Sequence, residues 1–175
     1  MSVQLSHIVI HKNTNGDSRV AKKEPTINEF RYANEEHIGD VIKIMAVVCE
    51  QLKNQARRHD WTKTEEPYQT MFYNDLCKTI RGEMNFIDGE WAHQHYDILE
   101  RHHLAKNAPD DVNMFDVMEM LCDCAVAGKA RNENEIYYPT VSDEVLQKAF
   151  QNTFDILLDA IDVKDRNVTN GRGLI

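Results

Sequence analysis

The chain has 175 residues and a formal net charge of −9, with 42% hydrophobic and 28% charged residues. This length and composition suit one globular domain, and the acidic balance argues against an extended nucleic-acid surface or attraction to an anionic membrane. No apolar run approaches the roughly 20 residues of a membrane span, and residues 1–12 do not resemble a signal peptide. A cytoplasmic protein is therefore expected.

The first 34 residues differ in pattern from the rest of the chain. A short strand is favoured by the spaced apolar residues Val3, Leu5, Ile8 and Ile10. The polar stretch 11–23 that follows is rich in turn-forming residues. We therefore expect an N-terminal arm or hairpin over residues 1–34. A helical domain is predicted over 35–162, with a C-terminal tail over 163–175.

Five helices are predicted in the helical domain. The first covers Glu35–Arg58, where apolar residues recur at three- and four-residue spacing and Asn34 can cap the start. Prolines, glycines and a capping serine delimit the later ones. Their predicted ranges are 67–81, 89–104, 114–127 and 142–161. The predicted fold class is all-α, a compact domain of about five helices with a short N-terminal strand or arm.

Histidines cluster in the middle of the sequence. His59-Asp60 supplies an imidazole and a carboxylate, a pair that suits Mn, Fe, Co, Ni or Zn better than Ca or Mg. On the third predicted helix, His95 and His102 are about two turns apart and share a face, with His103 adjacent. Each buried imidazole needs a polar partner, so these histidines are not expected simply to fill the core. A solvated, histidine-rich surface is the alternative.

Three carboxylates share one stripe of the fourth predicted helix. Asp116, Glu119 and Asp123 are spaced i, i+3 and i+7 in an otherwise apolar sequence. Inward-facing carboxylates need a cation, or one another with shifted pKa values. A solvated face is the alternative for Glu119 and Asp123.

The ordered set His37, His59-Asp60 and Asp116 resembles the HD superfamily of metal-dependent phosphohydrolases. HIGDV at 37–41 is similar to the first-helix motif of that superfamily, and HDWTK at 59–63 to its HD-x-x-Lys motif. A closer likeness, over residues 35–130, is to a largely uncharacterised, phage-associated HD-like family. The likeness also includes Glu66-Pro67, His95, ERHH at 100–103 and DVNMFDVMEMLCD at 111–123, after which Cys124 replaces the usual Trp.

The resemblance implies one or two divalent transition metals, taken from Mn, Fe, Co, Ni and Zn. One cation would be held by His37, His59, Asp60 and Asp116. A second, with Asp60 as the bridge, would be held by His95, His102 and His103. Such an HD-like fold implies metal-assisted hydrolysis of a phosphoester, in which the cations polarise a phosphoryl oxygen and activate a water.

The implied substrate is a small phosphorylated molecule of the nucleotide class. The activity would be that of a nucleotidase, a deoxynucleoside triphosphate hydrolase or a cyclic-nucleotide phosphodiesterase. Lys63 would balance the charge of the phosphate, and Glu66, Glu119 or Asp123 would orient the water or act as general base. Arg58 and Arg101 are candidate phosphate ligands, with ordinary surface salt bridges as the alternative.

Two other function classes remain open. One is a non-catalytic, metal-containing nucleotide-binding or inhibitor module of viral origin. The other is a di-iron oxygenase of the HD type. A homo-oligomer is left open, and a phage-encoded protein would act in the host cytoplasm.

The position of His37 sets a geometric test. In one unbroken helix over 35–58, His37 would lie roughly 33 Å from His59, at about 1.5 Å per residue. Metal ligands lie about 2 Å from their ion, so the two histidines could not share a cation. The superfamily motif predicts instead a tight reversal between about Val48 and Gln55 that brings His37 beside Asp116. A straight helix would remove His37 from the ligand set.

Overall fold

The computed structural model describes residues 3–131 and 138–166, and this part of the chain is mostly helical. It contains five α-helices and two short strands. In chain order they are β1 (Ile8–His11), α1 (Ile27–Arg58), α2 (Tyr68–Ile80), α3 (Glu90–His93), α4 (Met114–Arg131), α5 (Asp143–Asp159) and β2 (Ile161–Lys164). The predicted class, all-α with a short strand, is confirmed. No helix over these described ranges is long and apolar enough to cross a membrane.

Contacts along the chain define two compact units. One is formed by Val3–Glu50 together with the segment that starts at Ile156, and the other is formed by Gln51–Asp155. The second unit contains all the residues of the candidate site described below.

Helix α1 begins at Ile27, well before the predicted start at Glu35. Thr26 and Glu29 form a capping box at this end. The Glu29 carboxylate accepts hydrogen bonds from the Thr26 backbone N–H at 2.8 Å and hydroxyl at 3.0 Å, and the Thr26 hydroxyl oxygen accepts the Glu29 N–H at 3.2 Å. This reciprocal pairing satisfies free N–H groups of the first turn. The helix therefore starts directly after Thr26 rather than at Asn34.

Helix α1 continues without interruption to Arg58. The predicted reversal between Val48 and Gln55 is therefore wrong. The local sequence has no proline and strong helix formers, so nothing opposes propagation of the helix. Along the helix, His37 and His59 are separated by roughly 33 Å.

The first strand pairs with the last one. β1 and β2 are parallel, with Ile8 opposite Ile161 and His11 opposite Lys164. Within the described residues β1 pairs with β2 and not with a second strand from residues 1–34, so the predicted alternative of an N-terminal hairpin is wrong. Arg166 fastens the end of β2 by donating to the Lys12 carbonyl at 3.1 Å. The rest of the predicted C-terminal tail, 167–175, lies outside the described residues.

Helices α4 and α5 enclose a small apolar core in the unit Gln51–Asp155. The buried residues of this core are Leu104, Val112, Val117, Met120 and Ala149. The N-terminus of α4 is held by α5, because the Met114 N–H donates to the Thr153 hydroxyl at 2.7 Å. Burial of these aliphatic side chains fixes the start of α4, which carries the predicted acidic stripe.

Helix α3 begins against a buried carboxylate. Asp75 on α2 is 2% exposed, and its Oδ2 accepts the Trp91 N–H at 2.9 Å. A negative group is favoured at a helix N-terminus. A Cβ added at Gly89 would lie only 2.5 Å from the same Oδ2. A side chain at position 89 would therefore have to displace the Asp75 carboxylate.

Candidate metal centre

Histidines and carboxylates from three parts of the chain meet in the unit Gln51–Asp155. His59 and Asp60 directly follow α1, and Glu119 and Asp123 lie on α4. His95 lies on a π-helical turn, Gln94–Leu99, that continues α3. We use the name histidine–aspartate cluster for the set His59, Asp60, His95, His102 and His103.

The third helix ends earlier than predicted. Its last turn is π-helical and stops at Leu99, and Glu100 is extended with φ −93° and ψ 117°. The predicted helical face shared by His95 and His102 is therefore wrong. The rings meet because the chain turns back after Glu100. The ring centroids of His95 and His103 lie 4.7 Å apart, and those of His102 and His103 lie 4.1 Å apart.

Asp60 lies at the centre of the cluster. Its Oδ1 is 3.5 Å from His95 Nε2 and 3.7 Å from His102 Nε2, while its Oδ2 is 3.3 Å from His59 Nε2. The Lys63 ammonium donates to Oδ2. The Asp60 backbone is left-handed, with φ 55° and ψ 33°. This conformation is uncommon outside glycine and, where it occurs, is often found at functional sites.

Within the described residues, two groups of side chains have ligand atoms close enough to hold a cation. One is His59, Asp60 and His102, and the other is Asp60, His95 and His103. In each group the ligand atoms lie within 4.8 Å of one another, and Asp60 belongs to both. Three nitrogen or oxygen donors around one point are the type of set that binds divalent transition metals.

Unpartnered buried atoms support the same interpretation. Asp60 Oδ1 and both ring nitrogens of His102 are buried and have no hydrogen-bond partner among the residues described. Buried polar atoms are nearly always paired, because leaving one unpaired costs about 1–3 kcal/mol. A cation bound by Asp60 Oδ1 and His102 Nε2 would satisfy these two atoms, and His102 Nδ1 faces Glu119 Oε1 at 3.4 Å. The residues present therefore fit a divalent metal ion.

The protonation states of His95 and His103 also suit metal binding. Burial, with the neighbouring His103, lowers the pKa of His95 to about 3. Burial, with the neighbouring His102, lowers the pKa of His103 to about 4. Both rings are thus neutral near pH 7, and a neutral imidazole can donate a lone pair. Burial opposes protonation of His102, but the carboxylates of Glu119 and Asp60 raise its pKa above the ordinary value.

Two carboxylates of α4 border the cluster. Glu119 Oε1 is 3.0 Å from His59 Nδ1 and 3.4 Å from His102 Nδ1, and its Oε2 accepts a hydrogen bond from Gln55 at 2.7 Å. Burial acts to raise the pKa of Glu119, but its contacts with His102, Gln55 and His59 lower it overall. Asp123 Oδ1 is 3.5 Å from His59 Nε2. Glu119 therefore orients histidines from outside the cluster, and Asp123 lies at its edge.

Asp116 has a protein cation as its partner. Its carboxylate is fully buried and receives Nε of Arg101 at 2.9 Å and Nη2 at 2.8 Å. The Asn113 N–H also donates to it, at 3.0 Å. Arg101 makes further bonds to the side chain and carbonyl of Asp111. This is the geometry of a structural ion pair. The Arg101 guanidinium, which was predicted to bind phosphate, is therefore bonded to Asp116 and Asp111. Asp116 is in neither candidate metal group.

The positions of three further residues of the predicted site can be compared with the prediction. His37 is exposed on α1 and too far along that helix to share a cation with His59, so its predicted ligand role is wrong. Both carboxylate oxygens of Glu66 accept hydrogen bonds from Thr70, at 2.7 and 3.4 Å, in the first turn of α2. Arg58 is exposed at the last position of α1, next to the cluster.

Thr62 and Trp91 contact the cluster, and Glu100 accepts hydrogen bonds from Thr62, but these residues were not singled out from the sequence. Thr62 is buried, and its hydroxyl is 2.6 Å from His95 Nδ1. The Trp91 ring stacks on His95, with centroids 4.3 Å apart and an interplanar angle of 18°. Thr62 and Glu100 lie inside the HDWTK and ERHH segments, but single residues of such common types carry no signal by themselves.

Comparisons with known proteins identify a family for this chain. No curated protein and no solved structure matches the chain. A family model matches residues 26–160, which include the whole histidine–aspartate cluster and the Arg101–Asp116 pair, and its description is a family of unknown function. The match covers more than half of the chain, so the protein belongs to this family of unknown function, DUF5662.

Proposed function

We propose that the protein is a metal-dependent phosphohydrolase that acts on phosphoesters of the nucleotide class. The observation that supports this function is the position of Asp60, which belongs to two adjacent groups of nitrogen and oxygen donors. Paired cations that share ligands recur in phosphatases and nucleases, where they act on both oxygens of an in-line displacement. One cation in either group would support the same class of reaction.

A divalent cation bound at Asp60 would supply the positive charge that polarises a phosphoryl oxygen and favours ionisation of water. The chain's own residues would do the rest. Lys63 pairs with Asp60 and keeps 32% of its side chain exposed. Its ammonium can therefore contact a phosphate oxygen at the border of the cluster, which places negative charge beside a fixed positive group.

Asp123 is the best candidate for the general base. Glu119 is held between two histidines and Gln55, and Glu66 is bonded to Thr70. Asp123 lies beside His59 and is partly exposed. In the proposed reaction the oxygen of water forms a bond to phosphorus, and the bond from phosphorus to the leaving oxygen breaks. The proton lost by water passes to Asp123, and the leaving oxygen is protonated from solvent.

The test is a hydrolysis screen with purified protein and added Mn²⁺ or Co²⁺. Mono-, tri- and cyclic nucleotides serve as substrates, and product nucleotides and phosphate are measured. We expect turnover of at least one substrate. Asp60→Ala should lower it by about 100-fold or more, since the variant loses a ligand of both groups.

The matched control is Asp110→Ala. The Asp110 side chain is fully exposed and forms an ion pair with Lys148, so its removal should leave turnover unchanged. Absence of metal-dependent turnover across the full screen would contradict the proposal. Nucleotide binding without turnover would then indicate a binding module.

A further inference from the structure

We propose that Thr62 and Glu100 fix His95 in the tautomer that carries its proton on Nδ1 and leaves Nε2 free to bind a cation. Both would be positioning residues, because they act on the ligand rather than on the metal or the substrate. The inference rests on the proposed metal site and adds the device that prepares one of its ligands.

The contacts between Thr62 and Glu100 determine where the Thr62 hydroxyl proton points. The Thr62 backbone N–H and hydroxyl both point at Glu100 Oε1, at 3.1 and 2.9 Å. A backbone N–H can only donate, so Oε1 acts as an acceptor there. The one hydroxyl proton of Thr62 is directed to the same oxygen. This assignment holds when Glu100 is ionised and also when it carries its proton on Oε2, because Oε1 is then an acceptor in both cases.

The direction of this hydroxyl proton determines which nitrogen of the His95 ring carries a proton. Its Nδ1 is 2.6 Å from the Thr62 hydroxyl oxygen. The hydroxyl proton points to Glu100, so the oxygen presents a lone pair to the ring and Nδ1 must supply the proton of this hydrogen bond. A neutral ring then carries its free lone pair on Nε2. That atom faces Asp60 Oδ1 at 3.5 Å and His103 Nε2 at 2.9 Å, which are the other members of its candidate group.

Trp91 restricts the motion of both the His95 ring and the Thr62 backbone. Trp91 stacks on the His95 ring, and its indole N–H donates to the Thr62 carbonyl at 3.1 Å. One tryptophan therefore fixes the plane of the ligand ring and the backbone of the residue that orients it. Thr62, Trp91 and His95 are at most 1% exposed. Supporting hydrogen bonds of this kind set the tautomer of ligand histidines and typically change metal affinity by about 10- to 100-fold.

The direct test is the tautomer itself, measured on metal-free protein by long-range ¹H–¹⁵N NMR of the imidazole rings. We expect His95 to carry its proton on Nδ1 in the wild type and in Thr62→Ser, which keeps the hydroxyl. Thr62→Val keeps the shape and removes the hydroxyl, and should lose this single tautomer. Thr64→Val is the matched control, because the Thr64 hydroxyl is exposed and donates only to the Trp61 carbonyl. Glu100→Gln retains a carbonyl acceptor and should keep the Nδ1 proton.

Co²⁺ titration of the same proteins provides the second readout. We expect Thr62→Val to bind Co²⁺ about 10- to 100-fold more weakly, and Thr62→Ser and Thr64→Val to bind within about threefold of the wild type. A wild-type His95 protonated on Nε2, or a folded Thr62→Val with wild-type affinity, would overturn the inference. Failure of the wild type to bind Co²⁺ or Mn²⁺ would overturn the metal site, and the NMR result would still decide the tautomer.

Discussion

Arg101 and Asp116 form a bidentate ion pair, with Nε 2.9 Å from Oδ1 and Nη2 2.8 Å from Oδ2. The Asp116 side chain has no exposed surface, whereas Arg101 keeps 24% of its own. The most deeply buried carboxylate of α4 is thus neutralised by the protein itself. The contribution of Asp116 to stability can therefore be measured separately from any contribution to metal binding.

Arg101→Met should lower the free energy of unfolding by about 3 kcal/mol, because it leaves the buried Asp116 charge without a positively charged partner. Urea unfolding of the metal-free protein measures this loss. Arg81→Met is the control, since Arg81 and Glu83 form a similar two-bonded pair in which both side chains are more than half exposed. That change should cost under about 1 kcal/mol.

Co²⁺ binding by Arg101→Met distinguishes the two roles of Asp116. We expect affinity close to that of the wild type, because neither residue is in a candidate metal group. A loss as large as that of Asp60→Ala would indicate that Asp116 takes part in the metal site after all.

Asp60→Ala should remove the bound metal. The protein purified without chelator is expected to hold at least one divalent transition metal per chain, measured by elemental analysis, because Asp60 serves both candidate groups. The variant should contain far less metal, and Co²⁺ should no longer raise its melting temperature.

His37→Ala is the informative control for the metal prediction. The residue is a histidine of α1, the helix that directly precedes the His59-Asp60 pair, but it lies roughly 33 Å from His59 along that helix. Its removal should leave metal content unchanged. Equal loss of metal in His37→Ala and Asp60→Ala would contradict the assignment of the cluster.

The metal-free protein should lose stability as the pH falls below about 6.5. His95 and His103 have pKa values lowered to about 3 and about 4 in the folded protein. Between those values and the unfolded value near 6.5, the unfolded chain binds the extra protons, so acidification favours unfolding. His102, whose pKa is raised, affects stability only above about 6.5, since its contribution is fully present below that pH and is lost as pH rises through its folded pKa.

Urea unfolding in EDTA at pH 7, 6 and 5 measures this slope. His103→Gln should reduce it, because one of the two lowered groups is removed. His93→Gln replaces a histidine of α3 whose side chain is 61% exposed, and should leave the slope unchanged. An equal slope in the wild type and His103→Gln would count against the buried, neutral ring.

Gly89→Ala should lower the free energy of unfolding by about 1–3 kcal/mol. The new Cβ would lie 2.5 Å from the buried Asp75 carboxylate, which would have to move away from the Trp91 N–H. Gly39→Ala is the opposite case, since nothing lies within 4 Å of the added Cβ and the site is inside α1. Alanine should raise stability there by about 0.5–1 kcal/mol. The same sign of change at both positions would contradict this account.

The helices were predictable because their signals are local. The helix starts at Tyr68, Met114 and Asp143 lie within one residue of the predicted positions, whereas α4 ends at Arg131, past the predicted end at 127. The start of α1 was missed although Thr26 and Glu29 carry the capping-box pattern. The pairing of β1 with β2 was not predictable, since strand partners distant in sequence leave no local pattern.

Within the candidate site, the residues were easier to predict than their arrangement. His95 and His102 were grouped by helical spacing, yet they meet through a π-helical turn and a chain reversal. The partner of Asp116 was expected to be a metal, and the structure provides Arg101. A sequence shows that a buried carboxylate needs a cation, but it does not show which one, because that depends on contacts between distant segments.

The parallel pairing of β1 and β2 also orders the events of protein synthesis. On the ribosome, β1 emerges early, but its partner can emerge only after the segment Gln51–Asp155 has left the exit tunnel. The histidine–aspartate cluster can therefore assemble before the first strand has any partner. Until then the backbone groups of β1 are open to pairing with other nascent chains. Slow translation near Ile161 would lengthen this exposure and favour aggregation during expression, even for a chain whose metal ligands are already in place.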